Sequence, residues 1–181
     1  MTQGTIRFQP TYEDVLAGYR LNYRVTVRSG RIARAYLLGT MILGAAGGAC
    51  WYLGWIDIWM LIAIVAYWPM AFSLILWSVY LRLPRQVRRI YSQQKSLHEE
   101  TEVEWSAQEI GFRSGRGSSR FGWSDYMAWA ENDQVIILRQ SEALFNFIPT
   151  SALLPQQAAD IVSHLARYTG SPLSMTASVP R

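Results

Sequence analysis

The sequence predicts a membrane α+β protein, in which a two-helix transmembrane hairpin carries a small cytoplasmic antiparallel β domain closed by a C-terminal helix. Three observations predict it. Two apolar stretches free of charge, Ala35–Gly54 and Ile58–Leu81, lie almost back to back. Arginines crowd both outer flanks of this pair and are missing from its connector. From about Thr101 the pattern changes to period two, broken by turn clusters.

Composition sets the outer limits. The chain has 181 residues, half of them hydrophobic, 17% charged, with a mean hydropathy of +0.04. That length holds one domain, or a small domain plus an anchor, and excludes a large transporter or a multidomain enzyme. One cysteine excludes an intramolecular disulfide framework. The net charge of +4 divides unevenly. Residues 1–98 carry 11 basic and 3 acidic side chains, whereas 99–181 carry 6 and 10. A basic half beside an apolar run points to a membrane surface.

The hairpin comes first. About 20 helical residues, at a rise of about 1.5 Å each, span a hydrocarbon core of about 30 Å. The spans are expected at about 35–55 and 58–81. Arg20, Arg24, Arg28, Arg31 and Arg34 precede them, and Arg82, Arg85, Arg88, Arg89 and Lys95 follow. The positive-inside rule then puts both termini in the cytoplasm and the turn at Gly54–Asp57 outside. Trp51, Tyr52, Trp55 and Trp59 gather around that turn, where interfacial rings prefer to lie. Gly44 with Gly48, and Ala45 with Ala49, are small residues four apart that let helix backbones approach closely. Packing against the second span is the favoured use, and self-association the alternative. Neither span contains Asp, Glu, Lys, Arg or His, which argues against a transporter.

The flanks are helical. Thr11 is the expected N-cap of a helix with Glu13 and Asp14 in its first turn. Its Tyr12, Val15, Leu16, Tyr19 and Tyr23 stripe has two destinations, the bilayer interface or the C-terminal domain. Before it, Thr5–Phe8 alternates as a short strand. The segment 1–34 is therefore read as a strand plus a juxtamembrane helix. Leu83-Pro84 is expected to break the second span and restart a basic helix over 82–98. Arginines 20, 24, 28, 31, 34, 82, 85, 88 and 89 are candidate contacts for anionic lipid, with orientation alone as the simpler role.

The polar half completes the chain. Strands are expected around Glu102–Trp105, Gln108–Phe112, Ser119–Trp123, Val135–Leu138 and Ala143–Ile148, with turns at Ser114–Ser118 and Glu131–Asp133. Pro155–Tyr168 has helical spacing, ended by Gly170, and 171–181 reads as a disordered tail. Strands followed by one closing helix, over 99–170, follow the plan of a pleckstrin-homology-like domain. A family resemblance rests on two segments, Phe121-Gly122-Trp123-Ser124-Asp125-Tyr126 and Phe145-Asn146-Phe147-Ile148-Pro149-Thr150-Ser151-Ala152-Leu153. With them, and with the order of elements, the chain resembles the YcxB-like family of bacterial membrane proteins. The resemblance implies a fold and a topology, a bacterial inner-membrane location and no particular reaction. Pleckstrin-like domains imply binding of proteins, peptides or lipid head groups.

No catalytic constellation appears. His98 and His164 are the only histidines, His98-Glu99-Glu100 lacks the partner of a zinc helix, and His164 is expected to be exposed. No catalytic residue, metal or cofactor is expected. Arg113, Arg116 and Arg120, around a Gly/Ser turn, form a candidate anion loop, with a plain solvated hairpin as the alternative. The expected function is a non-enzymatic anchor whose domain binds a membrane or cytoplasmic protein or its own copy. An oligomeric channel or transport accessory subunit is the alternative, and an enzyme a remote one. The partners expected are the bilayer, an unknown protein and a possible homo-oligomer, with no nucleic acid. A fragment from about residue 96 is expected to fold alone.

Overall fold

The computed structural model describes residues 4–141, 143–170 and Leu173. Most of the segment read as a disordered tail therefore lies outside the described residues. The chain divides into two compact units, Met1–Val25 with Leu83–Arg181, and Thr26–Arg82.

The first unit is built from two antiparallel sheets. One has the order β1 (Gly4–Phe8), β2 (Thr101–Trp105), β3 (Glu109–Ser114) and β4 (Gly117–Gly122). The other has β5 (Ala128–Glu131), β6 (Val135–Arg139) and β7 (Phe145–Pro149). Alternation along each strand decides which side chains turn inward. Ile6, Val103, Trp105 and Ile110 leave the first sheet, and Trp129, Ile136, Leu138 and Ile148 leave the second. Helix α4 (Pro155–Thr169) adds Ile161 and Leu165 to the same core. Trp123 and Tyr126, on the link between the sheets, are buried with them.

Strand β6 is buried at every position. Such a run needs cover on both faces. Ile136 and Leu138 meet the main core, whereas Val135 and Ile137 meet Ala17, Leu21 and Val25 of α1 (Tyr12–Val27). This settles the destination of the N-terminal helix. Thr11 caps it: its hydroxyl accepts from the Asp14 amide at 3.2 Å, and its own amide donates to the Asp14 carboxylate at 3.0 Å. The strand β1 pairs with β2, Ile6 opposite Val103. The segment read as a separate module thus supplies a strand and a cover to the C-terminal domain. A fragment from about residue 96 lacks both, so the expectation that it folds alone is withdrawn.

The proline at 84 does not break the second long helix, α3, which runs unbroken from Ile58 to Gln93. Proline removes one hydrogen bond. Burial on both sides of it holds the helix: Leu83 is 6% exposed and Val87 is 0%. Val87 packs with Val15 and Leu16, and Tyr12 donates its hydroxyl to the Pro84 carbonyl at 3.2 Å.

The second unit is a helical hairpin, formed by α2 (Gly30–Tyr52) and the first part of α3. Both helices are long and apolar enough to cross a membrane. The turn between them is closed at each end. Trp55 donates to the Cys50 carbonyl at 2.9 Å and Gly54 to that of Trp51 at 3.0 Å. That pair of bonds is the Schellman termination, and Gly54 takes the left-handed φ of +74° it requires. Asp57 then caps α3, its carboxylate accepting from the Met60 amide at 2.7 Å.

Inside the hairpin the close approach is made at Gly39 and Gly47. A Cβ on Gly39 would lie 2.4 Å from the Trp68 ring, and one on Gly47 2.7 Å from Leu61. A Cβ on Gly44 or Gly48 would meet nothing within 4 Å, and Ala45 and Ala49 are exposed. The small residues singled out in sequence are therefore not the ones that pack on the second span. The contact follows where Trp68 and Leu61 project, which spacing alone does not reveal.

Candidate functional site

A cleft of about 580 Å³ lies in the first unit beside the β3–β4 hairpin. Apolar residues at the ends of several elements form its floor: Phe8 of β1, Val15 and Tyr19 of α1, Phe112 of β3, and Phe145 and Phe147 of β7. Each of these arises from ordinary folding rules. Phe8 and Phe112 point inward by strand alternation, and both pack on the main core. At Gly18 α1 packs on the second sheet, where an added Cβ would stand in ordinary contact, 3.4 Å from the Phe145 ring. Tyr19 meets Phe145 edge to face at 5.2 Å. Burial raises the Tyr19 pKa, so its phenol stays protonated. The rim is polar, with Arg113, Arg116, Ser118 and Asn146, and Leu144 stands exposed on it.

The three arginines of the candidate anion loop do not converge. Register explains why. Arg113, Ser118 and Arg120 share the outer face of the first sheet with Arg7, Glu102, Glu104 and Glu109. On that face opposite charges alternate across strands, a favourable arrangement. Glu102 takes Arg7 at 2.8 Å and Arg113 at 3.8 Å. Arg120 lies 3.8 Å from Glu104 and 3.3 Å from Glu109. Arg116 bonds Glu99 at 2.5 Å. Hydrogen bonding to Glu102, then its charge, raises the Arg7 pKa. Each loop arginine thus already has a carboxylate. Arg113 and Arg116 still border the cleft, and Arg120 lines a separate shallow one with Gly4 and Trp105.

The other arginines are distributed over both units. Arg20, Arg24, Arg85, Arg88 and Arg89 belong to the first unit, and Arg28, Arg31, Arg34 and Arg82 to the second. All but Arg20 are exposed. On α3, Arg85, Arg88 and Arg89 face away from buried Leu83 and Val87, and Arg88 lies over the Tyr12 ring at 5.8 Å.

His164 is not exposed, as its helix position suggested, but 8% accessible. Its ring stacks on Trp123 at 5.3 Å, and its Nε2 lies 3.7 Å from Asp160. Asp160 also accepts from the Trp105 indole at 2.8 Å. His98 lies against Tyr91, its Nε2 2.8 Å from the Tyr91 carbonyl. Among the described residues, no group of three or more His, Cys, Asp or Glu side chains could hold a metal ion. The floor of the cleft was missed in sequence. Its residues come from four separate elements, and in sequence each was read only as part of its own strand or helix.

The class these observations define is an antiparallel β domain closed by a helix, split by an inserted pair of long apolar helices. Residues 98–166 match the family described as YcxB-like protein, the family the sequence resembles. The match falls within the first unit, and β1 and α1, which complete that unit, lie outside it. No curated protein and no solved structure gives a significant match.

Proposed function

We propose that this chain is a non-enzymatic, membrane-anchored interaction protein of the bacterial inner membrane. Its hairpin crosses the bilayer and holds a pleckstrin-homology-like domain in the cytoplasm. The observation that carries the anchor is the lack of cover on the long helices. The most apolar window of α2 is 6% buried and that of α3 is 0%. A core helix pair of a soluble protein would bury those windows, whereas a hairpin in lipid leaves them to the acyl chains. The arginines flanking the hairpin set its orientation, both termini inside. The sheet order of four strands, then three, then a helix supports the pleckstrin-like reading.

The cleft supports the interaction reading. An apolar floor with a few polar groups on its rim suits one aromatic or aliphatic side chain of a protein partner, with Asn146 and Ser118 available to its backbone. The balanced charges of the outer sheet face do not favour an anionic lipid surface there. The test is gentle detergent extraction of the intact chain with mass analysis of what co-purifies. A partner lost with Leu144→Asp and retained with Arg120→Ala supports the cleft, and equal retention in both refutes it. Reporter fusions at both termini test the anchor, and an external signal from either would refute the orientation.

Self-association is a second reading, favoured by one observation. The Gly44 and Gly48 positions have no neighbour within 4 Å of an added Cβ. If that face meets a second copy, Gly48→Leu should lower the detergent-solubilised mass to that of one chain.

A further inference from the structure

Three arginines at the exit of α3 carry charge that no described residue balances. Arg85, Arg88 and Arg89 are all exposed. From Ile58 to His98 the sequence holds no Asp or Glu. Among the described residues, none of the three forms an ion pair, whereas Arg7, Arg113, Arg116 and Arg120 each have a carboxylate. Like charges four apart on a helix destabilise it. Arg85 and Arg89 therefore gain from an anion supplied from outside the chain.

Helix geometry gathers these groups and turns them outward. Arg85 and Arg89 are four residues apart and Arg88 is three from Arg85, so the three are neighbours on one surface. A step of two residues turns a helix by about 200°. Leu83 and Val87 are buried, and Val87 packs on Val15 and Leu16 of α1. The packing that buries them turns Arg85 and Arg89, two residues further on, away from the domain. Arg88 stands at the border of this surface, its guanidinium held over the Tyr12 ring at 5.8 Å.

The unbroken helix fixes their depth. α3 runs through Pro84 to Gln93, and its charge-free stretch ends at Leu81. At a rise of about 1.5 Å per residue, Arg85 stands about 6 Å and Arg89 about 12 Å beyond Leu81 along the axis. The headgroup layer on each side of a hydrocarbon core is about 5–8 Å thick. Arginine lays its stem along apolar surface and extends its charged end to the wet layer. For a span that ends at Leu81, Arg85 is level with the lipid phosphates and Arg89 is within reach of them. The planar guanidinium matches a phosphate with two parallel hydrogen bonds.

We propose that Arg85 and Arg89, with Arg88 beside them, form a binding site for the headgroup of an anionic phospholipid. The site rests on the reading of the hairpin as a membrane anchor and goes beyond orientation, because the arginines hold lipid in the finished protein. The experiment titrates the intact chain, delipidated in a non-ionic detergent, with phosphatidylglycerol or with phosphatidylcholine, and counts bound lipid by native mass spectrometry. Phosphatidylglycerol should be preferred. Arg85→Gln with Arg89→Gln should weaken its binding about 25-fold, about fivefold for each charge lost near the surface. Arg7→Gln with Arg120→Gln removes the same charge from the outer sheet face and should leave the binding unchanged. Arg85→Lys with Arg89→Lys keeps the charge and should restore most of the affinity. Equal binding of the two lipids by the unaltered chain, equal loss in the two glutamine variants, or a lysine variant as weak as its glutamine counterpart would each overturn the proposal. Alkaline carbonate washing of membranes separates this failure from that of the anchor. A chain that stays in the membrane fraction yet shows no lipid preference refutes the site alone, and a chain released by the wash refutes the anchor and the site with it.

Discussion

Gly4 and Trp105 face each other across β1 and β2. A Cβ on Gly4 would lie 2.1 Å from the indole, which is itself held by its bond to Asp160 at 2.8 Å. The ring cannot yield without losing that bond. Gly4→Ala should therefore destabilise the unit by about 1–3 kcal/mol, as overpacking does. Thermal unfolding in detergent measures it. Tyr126 makes a second prediction at this scale. Burial raises its pKa to about 12 from 10, opposed by hydrogen bonds from Asn146 and Gln140. A raised pKa on an acid means the folded state holds its proton where the unfolded state has lost it. Stability is thus complete below pH 10 and falls as pH climbs from 10 to 12, by about 2–3 kcal/mol. Tyr126→Phe should flatten that part of the stability profile, and an unchanged slope would contradict the assignment.

Helix α1 acts at the scale of elements. Its Leu21 is 0% exposed and packs on Val135 and Ile137. Leu21→Ala should cost about 2–5 kcal/mol, the range for a buried leucine. A surface lipid-facing helix would give almost none, so chemical denaturation separates the two roles. The helix was legible in sequence from its Thr11 cap and its periodicity. Its destination was not, because an aromatic stripe serves a bilayer or a sheet equally well. The clue lay in β6: Val135-Ile136-Ile137-Leu138 is apolar on both faces, and α4 can cover only one. Pro84 was misread for the converse reason. Local rules weigh its lost hydrogen bond, whereas the burial of Leu83 and Val87 belongs to tertiary packing.

At the scale of the molecule, the hairpin interrupts a folded unit rather than preceding one. Joining residues 4–25 directly to 83–173 through a short Gly/Ser linker should yield a soluble, cooperatively folding protein. The fragment 96–181 should aggregate, since it lacks β1 and leaves Val135 and Ile137 uncovered. Size-exclusion chromatography and circular dichroism of the two proteins check both outcomes. The cleft depends on this arrangement, because Phe8, Val15 and Tyr19 arrive from the far side of the hairpin in sequence.

By itself the sequence determined whatever rests on short-range patterns. Two apolar runs flanked by arginine, the Thr11 cap, the period-two strands and the closing helix are all written within a few residues. Tertiary structure alone decided which strand pairs with the N-terminal one, which face of β6 takes α1, which glycines the hairpin uses and which side chains meet in the cleft. These depend on contacts between residues far apart in the chain, whose partners are chosen by burial and register, and no local period records that choice.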